Sequence, residues 1–234
     1  MIVVLTGAGI SKESGLNTYR DADGTWTSVP IDEVATPEAF ARDPVRVHGY
    51  YNARRRKLLS GEVAPNAAHL ALARLQAALP EVMLVTQNVD NLHERAGSPK
   101  VLHMHGELLK ARCLVCAAIH PWREDITLEC PCPGCGVAGR LRSAVVWFNE
   151  RPFHLPEIAE ALRRCRLFLA IGTSGSVYPA AGFVDLVTGH TIELNLAPSA
   201  VASRFAERIY GPASQTVPAL VERVILAGDA NDAA

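Results

Sequence analysis

Ile2-Val3-Val4-Leu5-Thr6-Gly7-Ala8-Gly9-Ile10-Ser11 is the segment of this 234-residue chain that most clearly indicates its fold. An apolar, β-branched run that breaks into paired glycines is typical of a buried parallel strand entering a phosphate-binding turn. Glycine lets the backbone approach a pyrophosphate closely, and free N–H groups beyond the turn can hold the anion. The usual dinucleotide fingerprint, however, has a third glycine where this chain has Lys12. The stretch therefore predicts either a dinucleotide site of a special kind or none.

Further apolar runs predict more strands, at residues 82–85, 144–148, 167–171 and 191–194. Helical periodicity lies between them, at residues 67–79, 155–165 and 217–226. Alternating strands and helices predict an α/β fold with a mostly parallel sheet that is covered on both faces. Such sheets bind ligands at the carboxyl ends of their strands. Polar motifs follow several of these ends: Thr6-Gly7, Thr86-Gln87-Asn88, Gly172-Thr173-Ser174 and Asn195.

Two stretches interrupt this alternation and predict a second, smaller domain. Residues 27–62 are polar and contain a basic helix near 50–59, whereas residues 109–143 are rich in Cys, Pro and Gly. The remaining segments, 1–26, 63–108 and 144–234, would form the domain that contains the parallel sheet. In the basic helix, Arg55, Arg56 and Lys57 are interpreted as a solvated face, which is the usual place of a charge run.

Composition limits the classes of partner. The hydrophobic fraction is 49% and the formal net charge is −1, so no long-range attraction to nucleic acid or anionic membrane is expected. No apolar run approaches the roughly 18 residues of a membrane span. No signal peptide precedes the first strand, so we expect a cytoplasmic protein. The charge and the short apolar runs predict no nucleic-acid or membrane partner. We also expect a monomer.

Four of the six cysteines form two Cys-x-x-Cys pairs, Cys113/Cys116 and Cys132/Cys135, with fifteen residues between the pairs. This spacing predicts one structural zinc ion held by four thiolates. Cys130 is an alternative to Cys132, which fits better because Pro133-Gly134 supplies a turn. Reactive or disulfide-linked thiols are the other interpretation of the pairs. His120 is interpreted as a surface residue and Cys165 as part of the core.

The central polar segment predicts a binding and catalytic site. Gln87, Asn88 and Asp90 follow a strand, where their side chains can bind ribose hydroxyls and a carboxamide. A histidine whose pKa lies near neutrality can act as a general base, and His105, at a strand end before Gly106, is the better candidate. For His103 a structural role is at least as well supported, and Asn91 and His93 are interpreted as capping residues.

Taken in order, these motifs resemble the sirtuins, and the bacterial NAD-dependent protein deacylases of the CobB type in particular, over nearly the whole chain. They are Gly7-Ala-Gly-Ile-Ser, Tyr19-Arg20, Gln87-Asn-Val-Asp90, His105-Gly106, the two Cys-x-x-Cys pairs, Gly172-Thr-Ser174 and Asn195-Leu196. The resemblance implies an atypical Rossmann fold with a mobile cofactor loop, about Ser11 to Trp26. It also implies a small domain made of a helical insertion and a zinc ribbon.

The resemblance implies that NAD is a co-substrate that is consumed, giving free lysine, nicotinamide and O-acyl-ADP-ribose. His105 would be the general base, and Asn88 and Asp90 would line the nicotinamide and ribose pocket. The full implied set of NAD-binding residues is Gly7, Ala8, Gly9, Ser11, Arg20, Trp26, Gln87, Asn88, Val89, Asp90, Gly172, Thr173, Ser174, Asn195, Leu196, Ala197 and Ala213. For Arg20 the alternative is a salt bridge within a helix or loop.

The acyl-binding residues implied by the resemblance are Tyr51 and Arg54, which are three apart and share a helix face. They match the Tyr-x-x-Arg pair of class III sirtuins, in which phenol and guanidinium bind the carboxylate of succinyl- or malonyl-lysine. We therefore expect desuccinylase and demalonylase activity alongside deacetylase activity, because a guanidinium can bind a carboxylate through two hydrogen bonds.

Val145, Val146 and Trp147 lie near the segment that pairs with substrate peptide in the family. The chain departs from the family pattern nearby, with Ser143 in place of proline and Asn149 in place of glycine. Asn tolerates a left-handed backbone better than most residues, so the turn at Asn149 is expected to form. These departures bear on peptide affinity more than on NAD chemistry.

Two other functions fit parts of the sequence. A sirtuin-like ADP-ribosyltransferase or lipoamidase would also consume NAD, although His105 and the Tyr51/Arg54 pair favour deacylation. A non-enzymatic zinc-ribbon adaptor or nucleic-acid binder would use only the cysteine module, residues 109–143. The near-neutral charge and the polar strand ends argue against the adaptor.

Overall fold

The computed structural model describes residues 1–17 and 29–232, with the side chains described as far as residue 227. Arg20 and Trp26, both predicted to bind NAD, therefore lie outside the described residues. Along the described chain no helix is long and apolar enough to cross a membrane.

A six-stranded parallel sheet forms the larger layer, with strand order β3-β2-β1-β7-β8-β9. Its strands are β1 (Ile2–Thr6), β2 (Val82–Thr86), β3 (Val101–His103), β7 (Leu167–Ile171), β8 (His190–Asn195) and β9 (Glu207–Tyr210). This is the strand order of a dinucleotide-binding Rossmann sheet. Successive strands are added toward one edge from β1 to β3 and toward the other edge from β7 to β9, so the strand order reverses between β1 and β7. The predicted α/β class and Rossmann-type sheet are confirmed.

The first strand is buried on both faces, which explains why it is apolar throughout. Val3 and Leu5 face a core cluster that contains Phe168. Ile2 and Val4 face a second cluster on the opposite side of the sheet. Helices cover both faces, as expected for a parallel sheet.

Seven α-helices lie in the described residues: α1 (Ile31–Val34), α2 (Pro37–Arg42), α3 (Pro44–Leu59), α4 (Ala67–Ala78), α5 (Leu92–Arg95), α6 (Leu155–Arg164) and α7 (Ala213–Asp232). Local sequence explains where the longer ones begin. Asp43 accepts a hydrogen bond from Arg46 N–H ahead of Pro44 at the start of α3. Asn66 and His69 form a reciprocal capping box on α4. Short 3-10 helices occupy Ala8–Ser14, Ala180–Leu186 and Ala202–Arg204.

A smaller antiparallel sheet has the order β5-β4-β6. Its strands are β4 (Gly106–Cys113), β5 (Ile119–Pro121) and β6 (Leu141–Val145). The predicted strand at 144–148 is therefore wrong in its extent: β6 ends at Val145 and pairs with β4. Trp147 lies beyond the strand, and its side chain packs with that of Val145 under helix α3. The domain boundaries expected at 108 and 144 fall within β4 and β6, and the division stays a prediction.

The interpretation of the basic helix as a solvated face is wrong for Arg55. Its side chain is 0% exposed and lies on the buried face of α3 with Tyr51 and Asn52. Arg56 and Lys57 are exposed, as expected, and pair with Asp125 and Glu62. Arg55 stands three and four residues after the buried Asn52 and Tyr51, so within this charge run it falls on the buried face of α3.

Candidate active site

A cavity of about 730 Å³ opens at the carboxyl ends of β1 and β7, where the strand order reverses. Open parallel sheets bind ligands at this point. Most of the predicted site residues line it, namely Gly7, Ala8, Gly9, Tyr51, Gln87, Asn88, Val89, His105, Val145, Val146, Gly172, Thr173, Ser174, Asn195, Leu196, Ala197 and Ala213. Residues from eight separate segments of the chain therefore meet in one cavity.

Three glycines let the turns after β1 and β7 pack against each other. A Cβ on Gly7 would lie 2.7 Å from Gly172 O, and a Cβ on Gly9 would lie 2.7 Å from Gly172 Cα. Gly172 has φ +63° and a Cβ there would lie 2.3 Å from Ile10 N. The N–H groups of Gly7 and Gly9 donate to carbonyls of Ile171 and Gly172. These two glycines therefore serve close backbone approach. The segment after them is a short 3-10 helix, and Lys12 lies exposed on it where the fingerprint has glycine.

A chain of buried hydrogen bonds joins Asn88, Ser11 and Asp90. Asn88 Nδ2 donates to Gly7 O and to Ser11 Oγ, both at 3.1 Å. Ser11 Oγ in turn donates to Asp90 Oδ2 at 3.1 Å. Burial raises the pKa of Asp90, while hydrogen bonds from Leu92 N–H and Ser11 act in the opposite direction. The segment after β2 is thus fixed against the turn after β1.

The remaining polar strand ends are also tied together. Gln87 Nε2 donates to Thr173 Oγ1 at 3.0 Å, and Asn195 Nδ2 donates to Thr173 O at 2.9 Å. These bonds join the segments that follow β2 and β7 to the last residue of β8, so the rim of the cavity is held together at three strand ends.

His105 has the geometry of a general base. Its Nδ1 lies 3.0 Å from Gln87 O, and a carbonyl can only accept, so Nδ1 carries the proton. The Nε2 lone pair of the neutral ring then remains available on a residue that lines the cavity. Burial lowers the pKa of His105, although the bond to Gln87 acts in the opposite direction. The ring is therefore neutral, and able to take a proton, near pH 7.

His103 is held in a structural arrangement. Its Nδ1 lies 3.2 Å from Asn88 O and its Nε2 lies 2.6 Å from Glu94 Oε1. Burial lowers the pKa of His103, but the hydrogen bond to Glu94 and its charge outweigh this, so the pKa is raised overall. A protonated His103 donates to both partners and fixes the carbonyl of Asn88.

The expectation that Asn91 and His93 cap a helix is wrong in chemical detail. Asn91 stands at the N-cap position of α5, but its side chain makes no capping bond. Asp90 supplies it instead, since Asp90 Oδ1 accepts from Leu92 N–H at 3.1 Å. His93 is a core residue, 1% exposed, whose Nε2 lies 3.0 Å from Thr6 Oγ1.

The segment that follows β6 forms another wall of the cavity. Arg142 donates to both carboxylate oxygens of Glu150, at 2.7 and 2.9 Å, and to Val145 O at 2.6 Å. Its guanidinium carbon lies 3.3 Å from the ring centroid of Trp147. Asn149 adopts φ +70°, which confirms that asparagine supports the left-handed turn. Val146 N–H donates to His105 O at 2.8 Å, so this wall is joined to the candidate base.

Tyr51 and Arg54 both lie on α3, but they face different spaces. Tyr51 is 7% exposed and lines the large cavity. Arg54 lines a smaller cavity of about 320 Å³, together with Ser11 and Asp90. The guanidinium carbon of Arg54 lies 5.6 Å from the centroid of the Tyr50 ring. Ala8, Asn88 and Val89 line both cavities, so the two spaces meet at these residues.

The four predicted zinc ligands converge. The sulfur atoms of Cys113, Cys116, Cys132 and Cys135 all lie within 4.8 Å of one another, and two of the separations are 3.7 Å. A tetrahedron of sulfurs about 2.3 Å from its centre has edges of about 3.8 Å, so the set fits one zinc ion. Four thiolates would fill its coordination shell, which makes such a site structural.

The neighbouring residues settle the choice of ligand. Cys130 Sγ contacts Thr127 and Asp125 and is not part of the cluster, so Cys132 is the fourth member. His120 is half-buried, with Nε2 3.7 Å from Cys132 Sγ, where it neighbours the cluster without joining it. Cys165 is buried in the core as expected.

Sequence reasoning missed several residues that line the large cavity: Lys12, Ala35, Tyr50, Phe148, Ser176, Val177, Tyr178, Pro198 and Ser199. Most follow a recognised motif directly along the chain. Ser176 to Tyr178 continue the polar end of β7, and Pro198-Ser199 continue that of β8. Extending these two motifs by four residues would have found them, whereas Ala35 and Tyr50 follow no strand-end motif.

Comparison with known proteins identifies the family. The model of the Sir2 family matches residues 7–179, and this chain belongs to that family. It is 56% identical over 228 residues to the NAD-dependent protein deacylase of Escherichia coli, covering 96% of this chain and 82% of that protein. It is 54% identical over 221 residues to the NAD-dependent protein deacylase of Pasteurella multocida, covering 93% and 94%.

Solved structures agree with this assignment. A Sir2 homologue in complex with NAD superposes with a TM-score of 0.86 at 36% identity, covering 97% of this chain and 90% of that one. The structure of Sir2Af2 bound to a myristoylated histone peptide gives a TM-score of 0.74 at 30% identity, covering 97% and 92%. The resemblance inferred from the motifs is confirmed.

Proposed function

We propose that this protein removes succinyl, malonyl and acetyl groups from lysine side chains of proteins, with release of nicotinamide and O-acyl-ADP-ribose. The general activity, NAD-dependent protein deacylation, follows from Sir2-family membership and from relatives that are 54–56% identical and carry that name. NAD serves as the co-substrate that accepts the acyl group, and the four-cysteine cluster holds a structural zinc.

The observation that carries the proposal is the placement of His105. Its proton-accepting Nε2 is on a ring that lines the large cavity, and its Nδ1 is held by Gln87 O. We assign His105 as the general base and Asn88 and Asp90 as residues that orient the reacting end of NAD. The glycine turns, Gln87, Thr173 and Asn195 would hold the remainder of NAD at the same strand ends.

The preference for acidic acyl groups rests on Tyr51 and Arg54. Their helix runs beside both cavities, and a guanidinium can form two charge-assisted hydrogen bonds with a carboxylate. The walls formed by Val145 and Val146 would receive the substrate backbone. We also propose the division of the chain into the two domains given above, and action as a cytoplasmic monomer. The net charge of −1 supports the absence of a nucleic-acid partner.

Arg54→Met tests the acyl preference, assayed by steady-state kinetics on succinyl- and acetyl-lysine forms of one peptide. Loss of a charged hydrogen-bonding group should lower kcat/KM for the succinyl peptide roughly 10- to 100-fold, and leave the acetyl peptide nearly unchanged. Arg56→Met is the matched control, because Arg56 is an exposed cation on the same helix. Equal loss on both peptides would refute the carboxylate role of Arg54.

A further inference from the structure

Helix α3 is joined to the cysteine module by a buried polar contact, which we name the Asn52–Arg55 clamp. Asn52 Nδ2 donates to Ile126 O, and Asn52 Oδ1 accepts from Ile126 N–H, both at 2.9 Å. One side chain thus satisfies both backbone groups of Ile126, as a neighbouring strand would. Asn52 is 6% exposed.

Arg55 extends the same contact. It donates to Asn52 Oδ1 at 2.8 Å, to Leu108 O at 3.1 Å, to Glu124 O at 3.3 Å and to Ser143 Oγ at 2.9 Å. All four acceptors are neutral oxygens, and the side chain is 0% exposed. Burial of a cation is costly unless its donors are satisfied, and such groups can fix one specific geometry. Arg55 therefore fixes α3 to β4, to β6 and to the segment before Ile126.

Ile126, the residue that the clamp binds, lies next to the predicted zinc site. Ile126 is 0% exposed and packs in one cluster with Cys113 and Cys132, two of the four residues placed to bind zinc. On α3 itself the clamp lies beside the proposed acyl-binding residues, because Tyr51 precedes Asn52 and Arg54 precedes Arg55. Each residue of the clamp is therefore the direct sequence neighbour of one proposed acyl-binding residue, Tyr51 or Arg54.

We propose that the Asn52–Arg55 clamp makes the position of Tyr51 and Arg54 depend on the zinc-filled cysteine module. Asn52 and Arg55 are then positioning residues for acyl selectivity, and the zinc ion has a role in choosing the acyl group. The selectivity part of this proposal rests on the proposed function of Tyr51 and Arg54.

Hydrogen–deuterium exchange tests the coupling without any acyl substrate. Removal of zinc from the wild-type protein with a chelator should speed amide exchange in residues 51–59 of α3. Helix α4 is the internal control, because it packs in a different cluster with α7, and its exchange should stay unchanged. In zinc-loaded Asn52→Ala, exchange in α3 should already be fast, and chelation should add little. Faster exchange in residues 109–143 with no change in α3 would overturn the coupling.

Kinetics test the selectivity. The ratio of kcat/KM for succinyl- over acetyl-lysine peptide should fall about tenfold in Asn52→Ala, since small misplacements of a binding group carry large rate costs. Ser143→Ala removes a single acceptor of Arg55 without adding bulk, so it decides the matter if Asn52→Ala does not fold, and its ratio should also fall. Arg56→Ala, which breaks only the exposed pair with Asp125, should leave the ratio unchanged.

The two proposals fail in different ways. If Arg54→Met leaves the succinyl-to-acetyl ratio unchanged, the proposed acyl preference is wrong, and the exchange experiment alone decides the coupling. If Arg54→Met lowers the ratio but Asn52→Ala and Ser143→Ala alter neither the ratio nor the exchange of α3, the clamp proposal is wrong.

Discussion

The pair formed by Arg142 and Glu150 should make a large contribution to stability, which Glu150→Ala measures. The Arg142 side chain is 5% exposed and that of Glu150 is 26% exposed. Glu150 also accepts from Trp147 N–H at 2.8 Å. Glu150→Ala therefore leaves a buried guanidinium without its carboxylate and a backbone N–H without its acceptor.

Removal of one partner from a buried ion pair costs about 3–5 kcal/mol. Because a quarter of Glu150 remains in contact with solvent, we expect the lower end, about 3 kcal/mol. For a chain of this length, each kcal/mol lowers Tm by about 2–4 °C, so Tm should fall by about 6–12 °C. The wall that contains Val145 and Val146 should loosen at the same time, and KM for the substrate peptide should rise.

Urea and thermal unfolding measure the loss. Glu160→Ala is the matched control, because Glu160 pairs with Arg163 with side chains 60% and 58% exposed, and such a pair contributes at most about 1 kcal/mol. Burial raises the pKa of Glu150, but hydrogen bonds from Arg142 and Trp147 outweigh this and lower it overall. The contribution is therefore present above the unfolded pKa of about 4.3 and is lost as pH falls through the folded value. If Glu150→Ala lowers the free energy of unfolding by no more than Glu160→Ala does, the buried pair does not make the large contribution to stability expected of it.

Three further predictions follow from the site. Cys132→Ser should abolish bound zinc, measured by atomic emission, while Cys130→Ser should leave it unchanged; equal loss in both would contradict the ligand set. The acid limb of kcat/KM should lie below pH 6.5, because burial lowers the pKa of His105 and the base must be deprotonated; a limb above that value would contradict its role. Gly172→Ala should destabilise the protein by about 2 kcal/mol or more, since its Cβ would meet Ile10 N at 2.3 Å, whereas Gly49→Ala, in open space on α3, should stabilise it by up to about 1 kcal/mol. Similar unfolding free energies for the two glycine variants would contradict the packing of the turns.

The parallel sheet was predictable because its strands are local apolar runs. Residues 82–85 and 167–171 are short apolar runs, which is typical of buried parallel strands. The polar residues that follow each run line the large cavity. The cysteine spacing likewise specifies its cluster, because four thiolates at one ion leave little freedom.

Other features depend on contacts in the folded protein that the sequence around each residue does not specify. Trp147 continues an apolar run that predicts a strand, but β6 ends at Val145 and Trp147 packs under α3. Arg55 reads as solvated within a charge run, yet its acceptors come from residues 52, 108, 124 and 143, far apart in sequence. Similarly, Leu92 N–H at the start of α5 donates to the side chain of Asp90 and not to that of Asn91, although Asn91 occupies the N-cap position.

Mass spectrometry of the products formed from a succinyl-lysine peptide and NAD tests whether the protein transfers the acyl group from lysine to NAD. We predict that free lysine peptide, nicotinamide and O-succinyl-ADP-ribose form in equal amounts, and that His105→Ala abolishes formation of the acylated product. Release of nicotinamide with ADP-ribosylated protein in place of O-succinyl-ADP-ribose, or peptide deacylation without NAD consumption, would contradict the account.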